Sequence, residues 1–508
     1  MNLKPIYGIL VVLLIVIIPL FAHLGELPIQ QWDEGRLAMK AIEMTESHNW
    51  LITTVNGFSD HLSVKPPLLT WIQALFIKLL GANEWAIRLP SALAALATCL
   101  FMYWFFAWKF IKDVWLGIIC NLLLISCMGY VTLHGTRSGD YDTLLTLFTT
   151  GYILCFFLYL EEQRTMYLHV AMLLLTLCVY TKGVQGLMFL PALLLYVIVT
   201  KKLLFVFKEK WFYIDGVVFV ALVLGYYMAR DHYDQGYFGA VIINELGGRY
   251  GQVLEGHKGT FFYFFNWIDE RAFTYWWPAL VGGFITGGLT ADKQVRRLVL
   301  YLSLVMGVYM FVISSAETKC WWYIMPVMPF MAIVGGIFIN TIFKALGRVD
   351  VSKSMRWNVL PYLFLIVTAL PAYNTILKVT TGGQPASQWD YVNKDMSQIL
   401  FNVANDNDKS LDGYLVLDNY DDNLTWYREV IKRQHKPIQF SPDKDPGTAT
   451  KVVAFRFDTK WALDSLYDLS VTYSSGTVNY YTIKGKKTHL PAVDSVVEVN
   501  GALQSVVQ

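Results

Sequence analysis

Asp33, Glu34 and Arg36 stand in the run WDEGR, directly after the apolar stretch GILVVLLIVIIPLFAHLGELPIQQ. Carboxylates so close to hydrocarbon are poorly solvated and uncommon without a role, which makes Asp33 and Glu34 the first candidates for chemistry. Four further segments add polar groups: Asp60, His61 and Lys65 in the same loop; Arg137, Asp140 and Asp142 in HGTRSGDYDTLL; Arg249, His257 and Lys258 in NELGGRYGQVLEGHKG; Lys319 and Tyr323 in SSAETKCWWYIMP. Such a set suits a substrate that is half lipid and half polar. Basic groups hold a phosphate that becomes a leaving group. A carboxylate orients or deprotonates an attacking hydroxyl, or stabilises positive character at an anomeric carbon, and aromatic rings suit sugar faces. Each residue also has a plainer reading. Asp142 opens a helix and could serve as its N-terminal cap or dipole partner. Lys65, before Pro66 and Pro67, could snorkel; His257 could be an ordinary loop histidine; and Trp321, Trp322 and Tyr323 fit an interfacial aromatic belt.

The elements that must position these residues are set by composition. Of 508 residues, 55% are hydrophobic and 16% charged, against roughly 25% charged in an average soluble domain, so the chain reads as an integral membrane protein. A net charge of +2 is too small for a polyanion-binding surface, and nucleic acid is not an expected partner. The six cysteines lie almost entirely in apolar runs without a CxxC pair and read as small buried apolar residues. The first apolar run has no small-residue cleavage pattern and is expected to stay as an anchor.

A crossing helix needs about 20 apolar residues. About eleven stretches approach that length, near 6–24, 85–108, 113–133, 143–160, 165–180, 184–200, 212–229, 272–289, 297–315, 321–343 and 357–378, while PPLLTWIQALFIKLL (66–80) is too short and is expected to lie at the interface. With a cytoplasmic N-terminus, the even-numbered spans end at KFIKD, KKLLFVFKEK, ADKQVRR and KALGRVDVSKSMR. The positive-inside rule then puts WDEGR, the loops 25–84 and 230–271, and everything after the last span outside. The expectation is a polytopic α-helical membrane protein of about 11 to 13 transmembrane helices, with a membrane domain over 1–380 and a small soluble α/β domain over 381–508. That last domain opens on the turn-rich TTGGQPASQWD, then alternates the helical DYVNKDMSQILFNVAND with strand-like GYLVLDNY, KVVAFRF and SVTYSSGTVNYYTIK.

The runs WDEGRLAMKAIEMTESHNWLITTVNG and VKPPLLTWIQALFIKLLGANEWAIRLPSALAALAT resemble the first outer loop and second helix of the C-type (GT-C) superfamily of polyprenol-dependent glycosyltransferases. The resemblance is to the branch of lipid A aminoarabinose transferases and protein mannosyltransferase-like relatives. TRSGDYDTLLTLF, LCVYTKGVQGLMFLP, GRYGQVLEGHKGTFFYF and ETKCWWYIMPVMPFMAIVGG follow in family order, so the likeness covers residues 1 to about 345.

It implies two juxtamembrane helices in the first loop and a soluble C-terminal domain. It also implies transfer of one sugar, with inversion, from an undecaprenyl-phosphate donor to an envelope acceptor (lipid A, a glycan or a protein) on the periplasmic face of the inner membrane, by a monomer among membrane lipid. By the resemblance Asp33 and Asp142 are catalytic, with Glu34 beside them. Lys65, Arg249, Lys319 and Tyr323 grip the donor phosphate, and Arg36, Arg137 and Asp140 make other substrate contacts. The aminoarabinose branch holds a structural zinc with a glutamate and a histidine. His257 matches the histidine, but the glutamate is Val64 here; Asp60 or His61 could substitute, though nothing in the spacing demands it, so a zinc at His257 stays an open expectation and no other cofactor is implied. Two other readings remain. One is an oligosaccharide- or protein-glycosylating relative. The other is a transporter or flippase of a lipid-linked sugar, which should show broken spans paired between two halves; neither such a pairing nor a Walker motif is present in the sequence.

Overall fold

The computed structural model describes residues 3–132, 134–253, 256–349, 358–381, 390–417 and 421–487. The expected turn region at 382–389, the end of GYLVLDNY at 418–420 and the side chain of Arg249 lie outside the described residues. The first half of the chain runs α1 (Pro5–Phe21), α2 (Asp33–Ser47), the ribbon β1 (Thr54–Val55) and β2 (Phe58–Ser59), α3 (Leu68–Leu80), α4 (Glu84–Trp104), α5 (Val114–Ile125), α6 (Tyr141–Glu162), α7 (Thr165–Lys182), α8 (Leu190–Val199), α9 (Leu203–Lys208) and α10 (Lys210–Tyr233). Three short helices follow, α11 (Tyr237–Val241), α12 (Arg249–Gly251) and α13 (Tyr263–Trp267), then α14 (Trp277–Leu289), α15 (Lys293–Ser315), α16 (Met328–Gly347) and α17 (Leu360–Thr381).

Seven helices among the described residues are long and apolar enough to cross a membrane (α4, α6, α7, α10, α15, α16 and α17 with their adjoining turns), and five shorter apolar helices accompany them. The protein is a multi-pass membrane protein. The expected stretches 113–133, 184–200 and 272–289 contain helices of only 12, 10 and 13 residues. At 1.5 Å per residue such helices reach roughly 15–20 Å. Their apolar runs continue into packed non-helical backbone, such as the segment between Ser126 and Asp140, and hydrophobicity alone does not distinguish the two.

Polar residues close the helix ends where apolar ones fill the middles. The side chains of Asn83, Asp113, Asp140 and Asp292 accept hydrogen bonds from the first-turn amides of α4, α5, α6 and α15, satisfying donors that hydrocarbon could not. Asp113 also accepts from Asn340 Nδ2 at 2.7 Å and pairs with Lys344 at 2.5 Å, tying α5 to α16. The chain beyond α1 is held by two buried arginines: Arg88 donates to the carbonyls of Leu24 and Leu27, and Arg137 to those of Pro19, Leu20 and Ala22. Between these ends the core is aromatic, with Phe189 stacked on Tyr309 at 4.1 Å and Tyr196 edge-on to Tyr301 at 4.7 Å.

Contacts group the chain into two units, Met1–Leu27 with Leu37–Pro385, and Pro28–Arg36 with Ala386–Gln508. Sequence placed the boundary at 380/381; the segment Pro28–Arg36, assigned there to the first outer loop, makes its contacts with the later residues. The second unit contains α18 (Asp390–Ala404), β3 (Leu415–Leu417), α19 (Asp422–Arg433), β4 (Gln439–Ser441), β5 (Lys451–Ala454), α20 (Phe457–Leu466), β6 (Tyr467–Ser475) and β7 (Val478–Lys486). Its strands order as β4-β3-β5-β7-β6. β3 lies parallel to β4 and β5, and β7 lies antiparallel to β5 and β6. Leu417, Val452, Ala454, Leu463, Tyr467 and Tyr481 form a core on this sheet.

Asp113→Ala removes a cap and two interhelical partners together. It should lower stability by about 1–3 kcal/mol, read as a lower Tm of the detergent-solubilised full chain; an unchanged Tm would show that the α5–α16 tie contributes nothing.

Candidate active site

The polar residues of the membrane unit concentrate at the start of α6. Asp140 is the helix cap, its carboxylate accepting from the Tyr141 amide at 2.6 Å; Asp142, read from sequence as a possible cap, sits inside the first turn. Asp142 is fully buried and its two oxygens accept from Lys182 Nζ at 2.6 and 2.7 Å. A buried carboxylate or ammonium alone is very costly, so each of these charges depends on the other. Lys182 is the last residue of α7. The helix stops there because Gly183 adopts φ 60° and ψ −131°, a conformation in which a side chain is strained. Lys182 Nζ also lies 5.4 Å from the centre of the Tyr323 ring. Tyr309 donates its hydroxyl to the Tyr323 carbonyl at 2.8 Å and accepts from Gln185 Nε2 at 3.1 Å, which fixes the backbone on which that ring stands. Lys65 approaches the same turn from the loop before α3, 5.3 Å from the Tyr141 ring centre, with a long 3.8 Å contact to Glu245.

A second layer of contacts surrounds His134. Its Nδ1 is 3.0 Å from Asp140 Oδ2, and its ring lies flat on Trp322, 4.2 Å away at 11°. Trp322 meets His257 edge-on at 5.9 Å. The Lys319 amide donates to the His257 carbonyl at 2.9 Å, and Lys258 bridges to Thr318, so the third loop and the late loop are one unit of backbone. The Lys319 ammonium donates to the carbonyls of Ile313, Ser314 and Ala316 at the end of α15, where unpaired carbonyls and the helix dipole favour a cation. Burial pulls its pKa below the usual lysine value, and Glu317 offsets part of that. Arg137 is spent on the carbonyls near the end of α1, as described above.

The first loop holds its own buried charges. Lys40 pairs with Asp60 at 2.7 Å, both side chains almost wholly buried. Arg230 lies 3.9 Å over the Tyr237 ring and reaches Asp234 at 3.4 Å. Asp234 accepts from Ser59 at 2.5 Å and contacts His61 at 2.8 Å. Val64 packs in an apolar cluster with Tyr226, Tyr227, Tyr237 and Val241. It supplies no metal ligand, and Asp60 and His61 are engaged with Lys40 and Asp234. The zinc pair of the aminoarabinose branch therefore does not fit these residues, and no step below runs through a metal.

In the second unit, Asp33 is the first residue of α2. Glu34 is buried and accepts from the Gln30 amide at 2.7 Å. Arg36 donates to Asp422 Oδ2 at 3.0 Å. Of the residues proposed from sequence, the membrane unit thus brings Asp142, Lys65 and Tyr323 around one helical turn. Arg249 begins α12.

Residues 64–227 match the family model described as dolichyl-phosphate-mannose-protein mannosyltransferase. The chain is 26% identical over 369 residues to an uncharacterised protein of Aquifex aeolicus, covering 72% of this chain and 69% of that one. It is 29% identical over 230 residues to the undecaprenyl phosphate-alpha-4-amino-4-deoxy-L-arabinose arabinosyl transferase of Shewanella sediminis, covering 42% of this chain and 39% of the enzyme. Its fold matches the crystal structure of ArnT from Cupriavidus metallidurans bound to undecaprenyl phosphate, with a TM-score of 0.67 and 15% identity over 94% of this chain and 97% of that one. The chain has the fold of that enzyme and is a membrane glycosyltransferase. In this glycosyltransferase, the residue that sequence reasoning missed is Lys182. It lies in LCVYTKGVQGLMFLP, which was matched to the family without a role for its lysine, although an ionisable residue ending an apolar run is itself a functional signal. His134, Lys40 and Arg230 were missed for want of knowing their partners.

Asp142→Asn leaves the Lys182 ammonium without a countercharge. The variant should lose transfer and about 3–5 kcal/mol of stability, measured by thermal unfolding and product mass spectrometry. Asp142→Asn with Lys182→Met should regain stability but not activity; regained activity would remove both residues from the mechanism. Asp234 makes a separate prediction about pH. Burial pushes its carboxyl up, but the hydrogen bonds from Ser59 and His61 and the charges of His61 and Arg230 outweigh this and leave it below the usual value of an aspartate in an unfolded chain. The stabilisation is present above that unfolded value and is lost as pH falls through the lower folded value. Asp234→Asn should therefore flatten the acid limb of a stability–pH curve below about pH 4; an unaltered limb would assign acid loss to other groups.

Proposed function

We propose that this glycosyltransferase moves a single sugar from an undecaprenyl-phosphate donor to an envelope acceptor on the periplasmic face of the inner membrane, with inversion at the anomeric carbon. The observation that carries the reading is the convergence of Lys65, Lys182, Tyr323 and Asp142 on the first turn of α6. There two ammonium groups and a ring stand beside a carboxylate at the end of an apolar helix. A phosphate oxygen can take the place of Glu245 on Lys65, whose present contact is long. A second oxygen can share Lys182 with Asp142. The lipid tail then has apolar helix faces to run along, and the sugar lies against Tyr141 and Tyr323. Lys/Arg-rich loops at the opposite helix ends support an outward placement of this turn.

In the reaction the bond between the anomeric carbon and the phosphate oxygen breaks, and polyprenyl phosphate leaves with its charge held by lysine. The acceptor oxygen forms the new bond to that carbon and releases its proton to a base, a role the family resemblance gives to Asp33. An acceptor that is already an anionic phosphate needs only orientation by that carboxylate. Asp142 keeps Lys182 charged and placed, and opposes positive character on the sugar. Lys319 and Arg137 stand in this proposal as supports of the same end of the molecule, while Arg249 keeps the phosphate-gripping role that the family resemblance gives it. The backbone hydrogen bond from Lys319 to His257 joins the two loops beside Trp322 and Tyr323.

Two measurements test this. Lys65→Ala should weaken binding of undecaprenyl phosphate to the full chain in nanodiscs about tenfold, the loss of one charge-assisted hydrogen bond; unchanged affinity would remove Lys65 from the clamp. Asp33→Asn should keep that affinity and abolish sugar transfer, followed by mass spectrometry of envelope glycolipids and glycans from cells with and without the protein. Full transfer by Asp33→Asn would refute its assignment.

A further inference from the structure

Asp33 opens α2, and the turn before it is an expensive piece of backbone. Trp32 has φ 68°, in the left-handed region that bulky residues avoid at a cost of about 1–3 kcal/mol. Its indole is half exposed, 51%, so burial of that ring does not account for the conformation. Besides the turn's own hydrogen bonds, contacts from either side of it reach α19 in the C-terminal domain. Gln31 Nε2 donates to Asp421 Oδ2 at 3.0 Å, and Arg36 Nη1 donates to Asp422 Oδ2 at 3.0 Å. The Ile29 amide donates to the Tyr427 hydroxyl at 2.8 Å, with both residues buried. A Cβ on Gly35 would stand 2.7 Å from the Asn423 amide nitrogen, so the helix start and the α19 backbone touch with no room for a methyl group.

The chemistry of Asp421 makes the arrangement specific. Asp421 is the N-cap residue of α19, yet its carboxylate makes no capping bond. It accepts instead from Gln31 and from Asn393 of α18. A cap worth about 1 kcal/mol is forgone, and the carboxylate links the first-loop segment to two helices of the domain. Asp422, in the first turn of α19, lies where the helix dipole favours an anion, and its partner Arg36 is one helical turn beyond Asp33.

We propose that the C-terminal domain is a positioning element for catalysis, in which Asp421 and Asp422 hold the Gln31–Arg36 turn in the conformation that presents Asp33. This inference rests on the reading of Asp33 as the residue that handles the acceptor. It makes Arg36 a positioning residue and not a substrate contact. It also gives the domain a role in turnover apart from whatever acceptor it recognises, because anything that shifts α19 shifts the carboxylate.

The test uses the full-length protein in its native membrane, with the transferred sugar followed by mass spectrometry. Undecaprenyl phosphate affinity and Tm are measured on the same variants in nanodiscs. Asp422→Asn should reduce transfer on the order of ten- to a hundredfold, the size of effect expected from a small misplacement of a reacting group, with lipid affinity and Tm nearly unchanged. Arg36→Lys, which keeps the ion pair, should retain most transfer. The exchange Arg36→Asp with Asp422→Arg should recover transfer relative to Arg36→Asp alone. Full transfer by Asp422→Asn, or a loss that neither Arg36→Lys nor the exchange avoids, would overturn the proposal. Asp33→Asn in parallel separates the two claims: if it transfers normally the catalytic reading of Asp33 fails, and if it is inactive while Asp422→Asn is normal only the positioning inference fails. Gly35→Ala covers a fold failure of the aspartate variant, since it opens the same contact sterically without removing a charge, and its normal activity would likewise overturn the inference.

Discussion

Two opposite charges with no access to water must stay together, and the pair of Asp142 with Lys182 imposes this on the membrane unit. The pair joins the first turn of α6 to the last residue of α7, so these helices cannot slide along each other without separating the charges. The surroundings serve the same constraint. Asp140 closes the start of α6, Gly183 lets α7 end where its lysine reaches the carboxylate, and the Gln185–Tyr309 contact fixes the backbone bearing Tyr323. A buried ion pair of this kind is weak evidence for stability. In the proposed reaction its value is chemical, because it would keep an ammonium charged and stationary for a phosphate to share.

The same economy runs through the rest of the polar inventory. Arg88 and Arg137 satisfy carbonyls near the end of α1, and Lys319 those at the end of α15, groups that hydrocarbon would leave bare. Lys40 with Asp60, and Arg230 with Asp234, neutralise one another in the first loop and the segment after α10. Among the described residues, these charges are thus committed to backbone carbonyls or to one another. Around the start of α6 two cations, Lys65 and Lys182, converge with aromatic rings and a carboxylate on one helical turn, a combination that suits a sugar phosphate.

Much of this was legible from sequence because hydrophobic length and loop charge are local properties. The long helices α4, α6, α10, α15, α16 and α17 fall on the stretches expected for them, and α3 forms over the run read as an interfacial helix. In the C-terminal unit, α18, β5 and the β6–β7 hairpin lie where their patterns put them. The shortened helices α5, α8 and α14 were not legible, since apolar residues also fill packed loops. Asp142, Lys65 and Tyr323 were found as residue types near the lipid boundary. Lys182 was not, because its meaning lies in a partner 40 positions away along the chain. Nor could a sequence show that Pro28–Arg36 packs with α19, which makes Arg36 the partner of Asp422. That pairing joins residues 386 positions apart.

The central claim is that the donor's phosphate sits at the first turn of α6. It is tested most directly by photo-crosslinking the full-length protein in nanodiscs with an undecaprenyl phosphate analogue carrying a diazirine next to its phosphate, followed by peptide mapping. The account predicts label on the segments around Lys65, Tyr141–Thr143 and Thr181–Gln185. Label confined to the opposite end of α6, around Tyr159–Glu162, or to the C-terminal domain, would contradict it.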